Sequence, residues 1–292
     1  EILIGLVGSE MCIRDRDEDD SYYDDDSDYD DSYDDSTDDS YDDSTDDSYD
    51  DSTDDSDNEE TTGTKIDDIK LSSSELQAFV KESDSDENGY ISQSEAEKIT
   101  YVSISKKASQ SDLTQIIKLY PNISELMWNA GTLTKLTFPK NNIKRLNITS
   151  KAASQLVISG INQKLNNLSY TAQGSKKYAF NFAKGSAYKK VEDFNLMGKQ
   201  INGVKLSNAE VGTLYVTDTS AKKIDASSDK IINLWVQNNK KLSSFTVRNC
   251  SKLKSVSCAY NALSRLNISG CPKLLSLSLI HISEPTRPIS IS

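Results

Sequence analysis

The sequence predicts a mainly β fold: a solenoid of short strands, closed at its N-terminal end by an α-helical cap and preceded by a disordered acidic tract. Three observations predict it. An apolar-x-x-apolar-x-apolar pattern recurs from residue 99 to 276, a dense run of oxygen-bearing side chains sits between two helical patterns within 61–98, and residues 17–60 hold 25 acids with no Lys or Arg.

The chain ends read differently from the rest. Leu6-Val7-Gly8-Ser9-Glu10-Met11-Cys12-Ile13-Arg14-Asp15-Arg16 resembles one translated frame of a common sequencing adapter, and Leu277 to Ile282 resembles a frame of its reverse complement, continued by Ser283 to Arg287. Segments 1–16 and 277–292 are therefore expected to be adapter-derived and not native, leaving about 17 to 276 as native sequence within a longer chain. The one histidine, His281, and Cys12 fall in these ends. Residues 17–276 then hold no histidine, which excludes Ser/His/Asp and Cys/His catalysis and His-ligated metals there. No apolar run is long enough to span a membrane.

Residues 17–60 repeat Asp-Asp-Ser-Tyr-Asp-Asp-Ser-Thr, cleanly from Asp30 to Thr53. A segment so charged buries too little apolar surface to offset its ordering entropy and is expected to be an extended, disordered linker. Segment 61–98 has nine acids and four lysines, whereas 99–276 has 8 acids against 26 Lys plus Arg, a net +18 (26 − 8). A body this basic attracts anionic polymers, including the chain's own acidic tract, or carries lysines only to solvate the outer faces of a solenoid. No specific nucleic-acid motif accompanies the charge.

Within 61–98, Ser72 and Glu75 have capping-box spacing and Leu76, Phe79 and Val80 make one apolar helix face. Then follows Asp84-Ser85-Asp86-Glu87-Asn88-Gly89-Tyr90-Ile91-Ser92-Gln93-Ser94-Glu95. This is the twelve-position EF-hand pattern, which binds Ca2+ because the ion takes six to eight hard oxygens around a sharp turn. Asp84, Asp86 and Asn88 offer side-chain oxygens and Gly89 permits the turn. Tyr90 offers its carbonyl, Ser92 acts through a water, and Glu95 closes the sphere with both carboxylate oxygens, while Ile91 points to the core. One loop alone suits a structural clip of weak affinity.

From Ile99 the first apolar residue of each unit falls at 99, 123, 133, 143, 153, 165, 177, 191, 201, 211, 221, 231, 242, 253 and 263. The three patterned positions are apolar in 44 of 45 cases, Lys177 being the exception, although the chain is only 36% apolar. Each unit reads as one strand, and each pair as one coil of 20 to 22 residues, matching the L-x-x-L-x-L-x-x-N/C repeat. Asp112 to Tyr120 reads as a helix with Leu113, Ile116 and Ile117 inward. The wider spacing from 153 to 191 predicts a bulge or inserted loop.

Together the loop, its flanking helices and the repeats resemble secreted bacterial leucine-rich-repeat proteins with an EF-hand-like N-terminal cap, over residues 65 to 276. That resemblance implies an extracellular or cell-surface location, a monomer, and a partner among proteins or glycans. It carries the calcium roles onto Asp84, Asp86, Asn88, Tyr90, Ser92 and Glu95. No catalytic group comes with it, and the expected role is non-enzymatic binding or adhesion, or else that of a passive spacer or accessory region of a larger surface enzyme.

Cys250 and Cys271 share the N/C position of neighbouring coils and are expected about one rung apart, as two buried thiols or a disulfide. Tyr215 and Trp235 fall at the same outward position one coil apart, with Tyr260 near the strand end of the next. These three are the candidate ligand-binding residues, expected as an aromatic patch among lysines. The adjacent acids Glu192 and Asp193 are expected on opposite faces of a strand, unsuited to glycoside hydrolysis.

Overall fold

Each repeat unit contributes one strand, and from Ile123 onward successive units alternate between the front and the back of the solenoid, with parallel pairing throughout. The computed structural model describes residues 62–206 and 209–279, with the backbone of Ser290 and Ile291. The readings of 1–16, 17–60 and most of 277–292 lie outside these residues.

The segment before the first coil comprises β1 (Gly63–Lys65), α1 (Ser74–Glu82), β2 (Tyr90–Ser92) and α2 (Gln93–Lys98). β1 pairs antiparallel with β2, Gly63 opposite Ser92 and Lys65 opposite Tyr90. A Cβ at Gly63 would lie 2.6 Å from the Ile91 carbonyl oxygen, so glycine is what lets the two backbones meet. Helix α1 starts one residue later than the sequence suggests. Its N-cap is Ser73, whose hydroxyl accepts the Leu76 N–H at 3.4 Å. The expected Ser72–Glu75 box does not form. Glu75 instead accepts from the Ser105 N–H at 3.0 Å and the Lys106 N–H at 2.8 Å, while Ser72 donates its N–H and hydroxyl to Asp112 at 2.6 and 2.5 Å. Several charge-assisted bonds across the fold outweigh one local bond.

The front sheet runs in the order β3 (Tyr101–Ser103), β4 (Glu125–Gly131), β6 (Arg145–Ser150), β8 (Leu165–Ala172), β10 (Lys190–Met197), β12 (Glu210–Thr217), β14 (Asn233–Gln237), β16 (Ser255–Ser257) and β18 (Ser276–Ser278). Helix α3 (Gln110–Leu119) separates β3 from β4, with Leu113, Ile116 and Ile117 buried as expected. The back of the solenoid is formed by the pair β5 (Lys135–Thr137) and β7 (Val157–Ser159), then by β9 (Tyr178–Asn181), β11 (Ile201–Lys205), β13 (Lys223–Asp225), β15 (Ser244–Arg248), β17 (Arg265–Ser269) and β19 (Ser290–Ile291).

The patterned apolar residues stack inside this stack of coils, as with Leu168, Phe194, Leu214, Leu234 and Val256, all 0% exposed. Two units depart from the pattern at their first position: Lys177 is exposed, and so is Ala153, whose neighbour Ala152 is buried outside the main apolar core. The second correction concerns Glu192 and Asp193, neither of which points inward. Asp193 faces out from β10 and Glu192 pairs with Lys164, because the pattern places two non-core residues in succession at each strand start.

The back sheet is interrupted between β7 and β9, where the wide spacing predicts an irregularity. A 3-10 turn at Ser186–Tyr188 is inserted, and the coil swells around Tyr170, Phe180, Phe182, Tyr188 and Phe194. Side chains complete the broken ladder. The Gln155 amide donates to the Asn181 carbonyl at 2.9 Å and accepts the Asn181 N–H at 2.8 Å. Leu156 donates its N–H to the Tyr170 hydroxyl at 3.2 Å, and its carbonyl accepts from Tyr188 at 2.5 Å. At the other edge of this pair Gln110 makes the same two bonds to Thr137. Buried backbone groups need such partners wherever a strand ends early.

After the front strands, Thr219, Asn239 and Asn261 form a buried polar ladder. Asn239 accepts from the Thr219 N–H at 2.9 Å, and Asn261 accepts from the Asn239 N–H at 2.9 Å. Both asparagine amides donate to carbonyls of the inner turn. The corresponding back corners hold Cys250 and Cys271. Both are free thiols, two residues past the paired Arg248 and Ser269. Burial is the main cause that pushes the Cys250 thiol up to about 11, and burial pushes Cys258 up to about 12.

Candidate functional site

The loop between α1 and α2 is held open by its own side chains. Asp84 Oδ1 accepts the Asn88 N–H at 3.2 Å and its Oδ2 the Gly89 N–H at 2.9 Å. Asp86 accepts the Asn88 N–H at 3.1 Å and the Asn88 side-chain amide at 2.8 Å, and Asn88 Oδ1 accepts the Tyr90 N–H at 2.8 Å. Gly89 has φ +85°, a left-handed conformation that glycine takes at little cost. Ile91 is buried in the core as expected.

Glu95 closes the loop from α2. Its Oε1 accepts from the Ser85 N–H at 2.6 Å and hydroxyl at 2.7 Å, and its Oε2 from the Ser92 N–H at 3.0 Å and hydroxyl at 2.8 Å. The Ser92 N–H is the largest cause, with the Ser85 hydroxyl next, of a carboxyl lowered to about 2. The group is thus an anion at any ordinary pH. Carboxylate oxygens of Asp84, Asp86 and Glu95 all lie within 4.8 Å of one another. Three hard anionic donors this close fit a divalent cation that prefers oxygen, whereas Asn88 turns its amide nitrogen to Asp86 and its oxygen to the Tyr90 N–H.

The structure thus brings together Asp84, Asp86 and Glu95, with Asn88 bonded to Asp86 and Ser92 bonded to Glu95. Tyr90 lies in β2. Sequence reasoning missed Ser85, which holds Glu95 in place; loop position two carries no ligand and so gives no signal. It also missed how the loop is anchored. Ser83, immediately before Asp84, bonds the Tyr120 hydroxyl at 2.5 Å, and Phe79 meets the Tyr120 ring edge-on at 5.6 Å.

The second candidate lies on the outer face of the front sheet. Tyr215 and Trp235 are register partners, and their rings stack with centroids 6.1 Å apart at 15°. Trp235 is 37% exposed. Tyr260 lies just beyond the end of β16 in the following coil. It occupies the corner beyond β16 with φ +56°, equivalent to Asn238 (+59°) and Asp218 (+52°) in the preceding coils. Their neighbours on the sheet are Asn195, Thr213, Thr217, Asn233, Gln237 and Ser257. Lys222, Lys240 and Lys241 are exposed at the corner instead, because the flexible, strongly hydrated chains sit where the coil turns.

Comparison with protein-family models, curated proteins and solved structures finds no match to this chain.

Proposed function

We propose that this chain is a non-enzymatic binding module of an extracellular or cell-surface protein, in which a calcium-clipped cap closes a leucine-rich-repeat solenoid whose front sheet takes a protein or glycan. The single observation that carries the reading is the stacked Tyr215–Trp235 pair on an open sheet face. Such amphipathic rings supply large contact area at small entropic cost.

In this reading residues 61–98 are an EF-hand-like cap. Asp84, Asp86, Asn88, Tyr90, Ser92 and Glu95 are the Ca2+ ligands, with affinity in the range of about 0.1 to 1 mM that suits extracellular calcium. The ion is a clip more than a sensor, since the loop it would brace continues directly into α2 and the first coil.

Depletion of the purified chain by isolated cell envelopes, in millimolar calcium, tests the binding role. Wild-type protein is expected to be retained and Trp235→Ala to be lost by about tenfold or more, as for a central interface aromatic. Equal retention of the two proteins overturns the reading.

A further inference from the structure

The front sheet segregates charge. Across β8, β10, β12 and β14 the outward positions that alternate with the inner ladder run Asn167, Ser169 and Thr171, then Asp193, Asn195 and Met197, then Thr213, Tyr215 and Thr217, then Asn233, Trp235 and Gln237. Asp193 is the one charge among these twelve, in a body that carries 26 Lys plus Arg between 99 and 276. Lys164, Lys190, Lys222, Lys230, Lys240 and Lys241 all sit at strand starts or corners and are exposed. The face therefore meets its ligand without the cations that surround it.

We propose that this strip binds an uncharged, linear polysaccharide of pyranose units lying across the strands, parallel to the solenoid axis. The proposal rests on the binding-module reading above and narrows its ligand. An anionic polymer would place its carboxylates or phosphates over neutral amides and beside Asp193, losing hydration without gaining a partner. A protein interface centre is enriched in aromatic residues, Met and Arg; the strip shares Tyr215, Trp235 and Met197 with that set but holds no Arg, and its other outward positions are Asp193 and Asn, Thr, Ser and Gln side chains suited to a hydroxyl-rich ligand. A neutral sugar chain matches both halves of the strip. Its C–H faces lie against the Tyr215 and Trp235 rings, and its hydroxyls exchange hydrogen bonds with Asn195, Asn233, Thr217 and Gln237.

The register sets the direction. Asn195, Tyr215 and Trp235 are successive rungs of one row, and rungs repeat at about 4.8 Å. That is close to the length of one pyranose unit in an extended chain, so each coil meets about one sugar. Four strands offer room for three or four units. Affinity should climb with oligosaccharide length until that number is reached and then level off.

The test is native gel electrophoresis of the full chain, with calcium, through gels containing hydroxyethylcellulose, galactomannan or xylan, beside gels containing polygalacturonate. Retardation by at least one neutral polymer is expected, unchanged between about 0.05 and 0.5 M salt because no ion pair is involved. It should fall about tenfold or more in Trp235→Ala and in Trp235→Thr, the latter keeping a good strand former in β14, and stay unchanged in a Lys240→Ala/Lys241→Ala double variant. Retardation by polygalacturonate alone, lost with salt, overturns the proposal, as does neutral retention that survives both Trp235 variants or absence of retention by every neutral polymer. Envelope depletion that is lost in Trp235→Ala while no neutral polymer binds would remove the glycan and leave the binding module standing.

Discussion

Asp112 is fully buried at the first turn of α3, and its carboxylate accepts the N–H and hydroxyl of Ser72 and the N–H of Ser109. Burial alone would raise its pKa, but the bonds from Ser72 and Ser109 outweigh it and the net shift is downward. A carboxyl that titrates lower when folded stabilises above its unfolded value, about 3.9, and that contribution fades as pH falls from there through the lower folded value. Asp112→Asn keeps the shape and removes the charge, so it should cost about 1 to 3 kcal/mol at pH 7. The cost should shrink as pH is lowered through that window. Urea unfolding of both proteins at pH 7 and at pH 3 measures it; an equal cost at both would mean that the charge contributes nothing. The Ser109–Asp112 box is legible as Ser-x-x-Asp, yet nothing in it shows that Ser72, 40 residues from Asp112, would share the same carboxylate.

At the scale of elements the 61–98 segment is tied to the first coil by several bonds. Glu75 grips the 105–106 loop, Ser83 grips Tyr120, and Asn122 donates to the Glu97 carbonyl at 2.9 Å. An ion that organises the loop should therefore stabilise more than the loop. With an affinity of about 0.5 mM, 5 mM calcium contributes about 1.4 kcal/mol, enough to raise the melting temperature by a few degrees. Asp86→Ala, at an exposed position, should abolish the shift while leaving the calcium-free melting point nearly unchanged, and a chelator should reverse it in the parent. Calorimetric scans with and without calcium decide this, and identical scans would remove the metal site. The calcium-type spacing and the strand pattern were readable because each depends on neighbours within twelve residues. The destination of Glu75 was not, nor was the use of Gln110 and Gln155 as substitute strand edges, since their partners lie 26 to 31 residues away and the side chains carry no local signature.

Across the whole molecule the parallel ladders make each coil depend on the two it touches. Among the described residues β12 pairs with β10 and β14 in the front sheet, and β13 with β11 and β15 behind. Stability in such a stack is a sum of coil and neighbour terms and not the property of one core. The interrupted back sheet tests how far that holds, because between β7 and β9 continuity passes to the front strands, to the Gln155 amide and to the ring cluster of Tyr170, Phe180 and Phe194. Rings that interlock from three successive strands give this junction its own packing, so it should transmit cooperativity despite the lost ladder bonds. Leu214→Ala, at a fully buried rung of β12, should cost about 2 to 5 kcal/mol. Its signature in hydrogen exchange should be faster exchange in β10, β12 and β14, fading toward β4 and leaving α1 unchanged. Gln155→Ala should instead speed exchange in β7 and β9 with little effect on β14. Uniform loss of protection from either substitution, cap included, would mean that the coils unfold as one body, and the nearest-neighbour account of this solenoid would fail.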